Sequence, residues 1–192
     1  MKLIFLGTGE FAVPALRALH AAGHEVVSVI SQPDRPAGRG RGVLPTAARV
    51  AAEALGLRHC RPEDVNALPP GEITGGAELG VVAAFGQKLG PRLLASLPLG
   101  FINIHGSLLP RHRGAAPYQH AILAGDDVTG VTIFQLNERW DAGAIWSRAE
   151  TPIGTTETAD ELHDRLARIG AELIVDTLRD FQLGRIHPTP QD

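Results

Sequence analysis

An amide and an imidazole lie two residues apart near the end of an apolar run in the middle of the chain. They are Asn103 and His105, within Phe101-Ile102-Asn103-Ile104-His105-Gly106. Alternate residues of a strand point to the same face, so both side chains should face one site. An amide can donate a hydrogen bond to a developing oxyanion, and an imidazole can transfer a proton. The pair therefore indicates catalysis, although a strand-end Asn and His can also simply close a turn.

An imidazole that moves protons needs a third group to orient it and to balance its charge. Asp141 is the plausible supplier, because it lies in a glycine-punctuated loop between the last two predicted strands. The neighbouring Trp140 has two interpretations: it could form the wall of a ring-binding slot or cap the core. The other histidines are scattered without the spacing of metal ligands, so we expect no metal site.

A glycine turn, Gly7-Thr8-Gly9, follows the first apolar run and precedes a helical pattern. With Ala12 it has the G-x-G-x-x-A form of a dinucleotide-binding turn. Such a site also needs an acidic residue at the end of the second strand, and Asp34 lies beyond that end. A tight strand-to-helix turn is therefore the favoured interpretation. The backbone amides of the turn could still bind part of a substrate.

Arginines cluster in two glycine-rich or proline-rich loops. Arg35, Arg39 and Arg41 are joined mainly by glycine, whereas Arg111 and Arg113 follow the His105 strand. Guanidinium groups suit the oxygens of phosphates, so the first loop indicates an anionic substrate. The alternative for this first loop is a solvated surface segment.

Composition excludes several classes of protein. The 192 residues are 44% hydrophobic and 20% charged, which is ordinary for a globular domain. Eighteen basic and 21 acidic residues give a net charge of −3, which argues against a generally basic nucleic-acid binder. The single cysteine, Cys60, cannot form an internal disulfide, and no apolar run approaches the roughly 20 residues of a membrane span. We therefore expect a cytoplasmic protein.

Strand-like and helical patterns alternate along the chain, which predicts an α/β domain with a mostly parallel sheet. Right-handed crossovers should place helices on both faces of this open, twisted, Rossmann-like sheet. The ligand crevice should lie at the carboxyl ends of the strands. Strands are predicted at 3–6, 25–30, 79–85, 100–105, 128–136 and 144–150, and helices at 11–22, 46–55, 91–96, 117–124 and 158–183.

Taken in order, several segments resemble the folate-dependent formyltransferase family over nearly the whole chain. The run through His105-Gly106-Ser107-Leu108-Leu109-Pro110 is the most specific of them. The others are residues 7–12, 31–40, 82–86, 102–117, 130–133 and 141–143.

This resemblance implies a formyl donor, 10-formyltetrahydrofolate, and an amine acceptor. It implies that Asn103, His105 and Asp141 are the catalytic residues, with Asp141 keeping His105 protonated. It also places the pterin ring of the folate among three segments. Their residues are Phe85, Gly86, Gln87, Lys88 and Leu89, then Ser107, Leu108, Leu109 and Pro110, and Trp140 beside Asp141.

Segment 32–40 favours the branch of the family that acts on tRNA, so the implied acceptor is the amino group of initiator methionyl-tRNA. The candidate acceptor-binding residues come from the glycine turn and the loop arginines: Gly7, Thr8, Gly9, Arg35, Arg39, Arg41, Arg111 and Arg113. Residues 141–145 instead resemble the sugar-nucleotide branch. An amino-sugar nucleotide and glycinamide ribonucleotide therefore remain alternative acceptors, and a dinucleotide-binding oxidoreductase is a remote alternative.

The resemblance also predicts a domain division. Residues 1–184 should form the catalytic domain, and residues 185–192 should begin a linker or tail. The C-terminal β-barrel that helps to grip tRNA in this branch is expected to be absent from the chain.

Overall fold

A seven-stranded sheet forms the centre of the computed structural model, which describes residues 1–37 and 42–192. In chain order its strands are β1 (Lys2–Gly7), β2 (Glu25–Ile30), β5 (His59–Cys60), β6 (Leu79–Ala83), β7 (Phe101–His105), β8 (Val128–Gln135) and β9 (Ile145–Pro152). The spatial order is β5-β2-β1-β6-β7-β8-β9. The first five of these are parallel, and β8 and β9 complete the sheet as an antiparallel pair. The prediction of a mostly parallel open sheet is confirmed.

Helices cover both faces, as predicted. They are a 3-10 turn at Glu10–Ala12, α1 (Val13–Ala21), α2 (Ala47–Ala54), α3 (Pro70–Thr74), α4 (Pro91–Leu94), α5 (Pro117–Leu123) and α6 (Ala159–Gln182). The core on one face packs against α1, α2 and α6, and the core on the other against α3 and α4. Thr158 and Glu161 form a reciprocal capping box that fixes the start of α6. In the described part of the chain, no helix has the length and apolar character needed to cross a membrane.

Three short features lie outside the predicted elements. The two-residue strand β5 pairs with the end of β2, and α3 begins in a proline-rich stretch. Strands β3 (Arg35–Ala37) and β4 (Gly42–Leu44) form a small antiparallel hairpin apart from the main sheet.

The two faces of β7 have different roles, since one packs into the core and the other carries polar side chains. Ile102 and Ile104 are buried in the core on the α6 side, and Asn103 and His105 alternate with them. Helix α6 approaches this strand closely, because a Cβ atom at Gly170 would lie 2.8 Å from Ile104 Cγ2. The apolar side of β7 is thus fixed by packing, which leaves its polar side to serve a site.

Candidate active site

A cleft of about 1030 Å³ lies where β1, β6 and β7 end. Its walls include Phe85, Leu89 and Leu136, and its polar lining includes Asn103, His105 and Asp141. This is the edge at which open α/β sheets bind ligands, so the predicted position of the crevice agrees with the observed cleft. The structure brings the three predicted catalytic residues to this one cleft.

Asn103 presents an available amide to the cleft. The residue is half-buried, and within residues 1–37 and 42–192 no group forms a hydrogen bond with its side chain. Its backbone pairs with Val82 on β6 and with Phe134 on β8, so two neighbouring strands hold it. A fixed amide with free donors can stabilise negative charge on a bound reactant.

His105 is buried, with 6% of its surface exposed. Its Nε2 lies 2.9 Å from the His112 carbonyl oxygen, which can only accept, so Nε2 carries the proton. In the neutral ring, Nδ1 therefore holds a lone pair, and it lies 3.7 Å from Asp141 Oδ2. Burial lowers the pKa of His105 from its ordinary value of 6.5, although the Asp141 carboxylate and the His112 carbonyl raise it. The ring is thus neutral at pH 7 and can accept a proton.

Asp141 reaches the histidine from loop 136–144, which joins β8 to β9. Strand β8 ends opposite Ile102, so this loop must run along the face of β7 to reach His105. Asp141 itself has a φ of 44°, in the left-handed region that non-glycine residues rarely adopt. The Gly114 amide donates to its Oδ2 at 2.7 Å. These contacts fix the carboxylate in position for an imidazolium at His105.

Loop 84–89 forms one wall of the cleft, with all five predicted residues Phe85, Gly86, Gln87, Lys88 and Leu89 in the lining. Trp140 also lines the cleft, and 65% of its surface is exposed. The interpretation of Trp140 as a cap on the core was therefore wrong. The Lys88 ammonium lies 5.8 Å from the centre of the indole ring, within the range of a cation–π contact.

The segment Ser107, Leu108, Leu109 and Pro110 does not line the cleft. Ser107 is fully buried and donates to the Arg111 carbonyl at 2.7 Å. Leu109 packs with Phe134 and Ile145 in a small core cluster. In this structure, the segment anchors loop 106–116 to a small core cluster.

In the glycine turn, only Gly9 lines the cleft. Thr8 donates to the Phe85 carbonyl at 2.7 Å and accepts from the Gln32 amide at 3.1 Å, so it ties three strand ends together. Asp34 forms ion pairs with Arg49 and Arg61. Because these ion pairs occupy its carboxylate, Asp34 is not free to bind a ligand. This agrees with the interpretation of the glycine motif as a structural turn.

The predicted arginines are dispersed. Arg113 lines the cleft, whereas Arg111 pairs with Asp126 away from it. Arg35 is exposed and donates to the Gln32 side chain at 3.3 Å. The predictions for Arg39 and Arg41 lie outside the described residues.

Sequence reasoning missed several groups that complete the site. The His112 carbonyl and the Gly114 amide act through the backbone, which leaves no side-chain signature. The centre of the His163 ring lies 5.6 Å from that of Phe11 and 5.5 Å from that of Tyr118, and all three residues line the cleft. Among the described residues, no group of three His, Cys, Asp or Glu is arranged to hold a metal ion.

The fold is shared with solved structures of formyltransferases. A glycinamide ribonucleotide transformylase from Symbiobacterium toebii superposes with a TM-score of 0.79 at 21% identity, covering 100% of this chain and 94% of that one. An N-formyltransferase from Helicobacter canadensis, solved with folinic acid and dTDP-3-aminofucose, has a TM-score of 0.75 at 19% identity. It is matched over 100% of this chain and 68% of its own. At such identities the likeness concerns the fold.

Sequence relatives are much more similar. The methionyl-tRNA formyltransferase of Halorhodospira halophila is 50% identical over 99% of this chain and 62% of the relative. That of Heliobacterium modesticaldum is 45% identical over 100% of this chain and 61% of the relative. The chain thus spans about three-fifths of the length of these relatives. A family model described as formyl transferase matches residues 1–178. Because this match includes the glycine turn, β7 and the Asp141 loop, the chain belongs to the formyl transferase family.

Proposed function

We propose that the protein transfers a formyl group from 10-formyltetrahydrofolate to the amino group of methionyl-tRNA. The observation that carries the chemistry is the free Asn103 amide beside a buried, neutral His105 that faces Asp141. The names of the relatives that match the entire chain at 45–50% identity support the acceptor. Residues 1–184 are assigned as the catalytic domain and residues 185–192 as the start of a tail.

The cleft suits a flat aromatic donor. Its volume of about 1030 Å³ is at the upper end for small-molecule sites, which leaves room for the acceptor amine beside the donor. Phe85, Leu89 and Leu136 offer apolar walls, and Asn103, His105 and Asp141 belong to the polar part of the lining. We assign the pterin ring to the wall formed by residues 85–89 and Trp140. A contribution from Ser107–Pro110 remains a prediction.

The donor supplies an electrophilic formyl carbon bonded to a nitrogen that can leave. The acceptor amine attacks that carbon, and Asn103 donates to the formyl oxygen as the carbonyl electrons move onto it. His105 Nδ1 accepts the proton that the attacking amine loses. Asp141 then pairs with the imidazolium. His105 returns the proton to the leaving nitrogen as its bond to carbon breaks, which yields a formylated amine and tetrahydrofolate.

This sequence of steps changes one expectation. The resemblance implied that Asp141 keeps His105 protonated, whereas burial lowers the pKa of His105 in the free protein. The neutral ring accepts a proton only when the amine attacks, and the carboxylate 3.7 Å away stabilises the charge at that moment. We therefore assign His105 as the base first and the acid second.

The acceptor side of the proposal rests on phosphate-binding groups. Arg113 lines the cleft and Arg35 extends from the β3–β4 hairpin. We propose that these two residues, with Arg39 and Arg41, which follow Arg35 in the sequence, contact the phosphates of the acceptor. Gly9 remains the candidate for backbone contact in the glycine turn.

A second candidate acceptor is glycinamide ribonucleotide, because the fold is shared with the Symbiobacterium toebii transformylase at a TM-score of 0.79. The 21% identity with that transformylase, against 50% with a methionyl-tRNA enzyme, makes this the weaker candidate.

The test is a set of parallel transfer assays with 10-formyltetrahydrofolate, measuring release of tetrahydrofolate and the formylated product. The acceptors are methionyl-tRNA, glycinamide ribonucleotide and an amino-sugar nucleotide, with N-acetylmethionyl-tRNA as the control that lacks a free amine. We expect the highest kcat/KM for methionyl-tRNA and no turnover of the control. A preference for glycinamide ribonucleotide or the sugar would overturn the acceptor. Absence of transfer to all three would overturn the function.

A further inference from the structure

The side chain of Gln191 connects two loops of the active site. Its Nε2 donates to the Asp141 carbonyl at 2.9 Å and to the Gly143 carbonyl at 2.8 Å. Its Oε1 accepts from Arg113 Nη2 at 2.8 Å and from Arg113 Nε at 3.2 Å. A single amide therefore uses both donors and its acceptor across loops 106–116 and 136–144.

These contacts close a ring of hydrogen bonds around Asp141. The Asp141 carbonyl binds Gln191, Gln191 binds the Arg113 side chain, and the next amide, Gly114, donates to Asp141 Oδ2. The ring thus holds both the backbone and the carboxylate of the residue that faces His105. Closed networks of this kind restrict movement more than separate hydrogen bonds do.

The backbone of the tail fixes Gln191 in register. The Thr189 amide donates to the Ile145 carbonyl at 2.8 Å, and the Ile145 amide donates to the Thr189 carbonyl at 2.8 Å. This pair is a one-residue antiparallel extension at the start of β9. Because Ile145 follows the Asp141 loop directly, the tail is attached to the same loop that Gln191 holds.

The Asp141 loop needs such support because of its backbone conformation. A φ of 44° at a non-glycine residue is strained and persists only where surrounding contacts over-determine it. Gln191 binds the carbonyl of this strained residue. Gly143 is also confined, since a Cβ atom there would lie 1.7 Å from the Gln135 carbonyl oxygen.

We propose that Gln191 is a positioning residue for formyl transfer, which holds the Asp141 carboxylate against His105 by bracing loop 136–144 on Arg113. The inference rests on the proposed function and adds to it a residue 50 positions away from Asp141 in the chain. Gln191 acts through Asp141 and Arg113 and does not itself touch the reacting atoms.

The first test is Gln191→Ala in the formyl-transfer assay. A misplacement of about 1 Å in a catalytic group can reduce the rate by about 100-fold, and we expect a 10- to 100-fold loss of kcat. The KM for the donor should change little, because the wall at residues 85–89 is untouched. Gln191→Glu should show a similar loss, since a carboxylate cannot donate to the Asp141 and Gly143 carbonyls.

Thr189 provides a matched pair of controls. Thr189→Ala keeps the backbone amide that binds Ile145 and should retain kcat within about twofold. Thr189→Pro removes that amide and should lower kcat in the same direction as Gln191→Ala. Melting temperatures of all variants verify that losses of activity occur in folded protein.

The pH dependence separates positioning from general weakening of the fold. Asp141 faces His105 from loop 136–144, His112 faces it from loop 106–116, and Phe134 of β8 presents no charge. Arg113 lines the same cleft, and its guanidinium binds Gln191. Loosening Asp141 removes an attraction that raises the pKa of His105. The midpoint of the acid limb of kcat/KM, and of the His105 titration followed by NMR, should therefore move to lower pH in Gln191→Ala.

The outcomes distinguish the two proposals. If the wild-type chain transfers no formyl group, the function is wrong. If it does, and Gln191→Ala keeps the wild-type kcat and His105 midpoint, the positioning role is wrong. A loss of kcat with an unchanged midpoint also overturns it, because the effect then does not pass through Asp141.

Discussion

The ends of β1 and β7 reach the same cleft but differ in whether their polar side chains are free to bind a ligand. At β1, the Thr8 hydroxyl donates to the Phe85 carbonyl and accepts from the Gln32 amide, so it already forms two hydrogen bonds within the protein. At β7, the Asn103 amide has no hydrogen-bond partner in the described ranges and faces the cleft. The glycine turn at β1, which has the form of a dinucleotide-binding turn, therefore stabilises the sheet. The end of β7, which has no such motif, presents the amide that is free to bind a reactant.

The two ends also differ in backbone conformation. The tight packing at β1 requires a glycine, because a Cβ atom at Gly7 would lie 2.7 Å from Ala12 Cβ. Around β7, His112, Ala116 and Asp141 all adopt positive φ without being glycine. Strain in non-glycine residues clusters at sites where geometry must be held for function. The turn at β1 is therefore explained by close packing, whereas the conformations of the loops around β7 are maintained by contacts with neighbouring residues.

Substitutions at β7 should give the largest effect on chemistry. Asn103→Ala removes the oxyanion donor, and His105→Ala removes the proton carrier, so each should lower kcat by at least about 100- to 1,000-fold. Single-turnover formyl transfer measures the change. Asn103 is only half-buried and faces the cleft, so Asn103→Ala should melt near the wild-type temperature. His105→Ala removes a buried ring and its hydrogen bond to the His112 carbonyl, so this variant should melt at a lower temperature while still folding. Near-wild-type turnover in either variant would contradict the assignment of β7.

The reverse pattern is expected at β1. Thr8→Val keeps the shape of the side chain but removes two hydrogen bonds, which should lower the free energy of unfolding by about 1–3 kcal/mol. The kcat of the folded fraction should remain within a few-fold of wild type. Urea unfolding measures the first quantity, and Thr8→Ser, which retains a hydroxyl, is the control. A selective loss of kcat with unchanged stability would show that β1 takes part in the chemistry.

A smaller, pH-dependent effect is expected at the loop that follows β7, where Asp126 pairs with Arg111 and His112. The hydrogen bond from His112 lowers the pKa of Asp126, with Arg111 adding to the shift. A carboxyl whose pKa is lowered on folding contributes stability above its unfolded pKa of about 3.9 and loses it as pH falls through the folded value.

Asp126→Asn should therefore destabilise the protein by at most about 1 kcal/mol at pH 7, because the pair is near the surface. The difference from wild type should begin to shrink as pH falls below about 4 and should keep shrinking as pH approaches the lower folded pKa of Asp126. Urea unfolding between pH 3 and 8 measures it. A difference that is as large at pH 3 as at pH 7 would mean that packing, and not charge, is responsible.

The sequence was informative where periodicity extends over several residues. The apolar run at Glu25–Ile30 predicts β2 with its observed bounds, and the long amphipathic pattern predicts α6 within a residue or so at each end. It could not predict β5, since two residues, His59 and Cys60, carry no periodic signal. Helix α3 was missed because Pro70 and Gly71 favour a turn when they are considered alone.

For the site, local rules predicted that Asn103 and His105 would share a face. These rules also identified Asp141 as a candidate. They could not predict that it lies 3.7 Å from His105, because this distance depends on a loop that folds back along β7 and contains a residue in the left-handed conformation. Gln191 was beyond their reach, since its partners are 48 to 78 residues away in the chain. Contacts of that separation exist only once the sheet has assembled.

The close approach of α6 to β7 at Gly170 gives the back of the sheet influence over the reaction. Ile104 lies between Asn103 and His105 along the strand, and its side chain occupies the space next to Gly170. Any side chain at position 170 must push on Ile104, and a shift of Ile104 tilts the amide and the imidazole together. The orientation of Asn103 and His105 is thus set partly by Gly170, a residue of α6 that does not line the cleft. Substitutions at Gly170 can therefore change turnover while the residues that line the cleft stay the same.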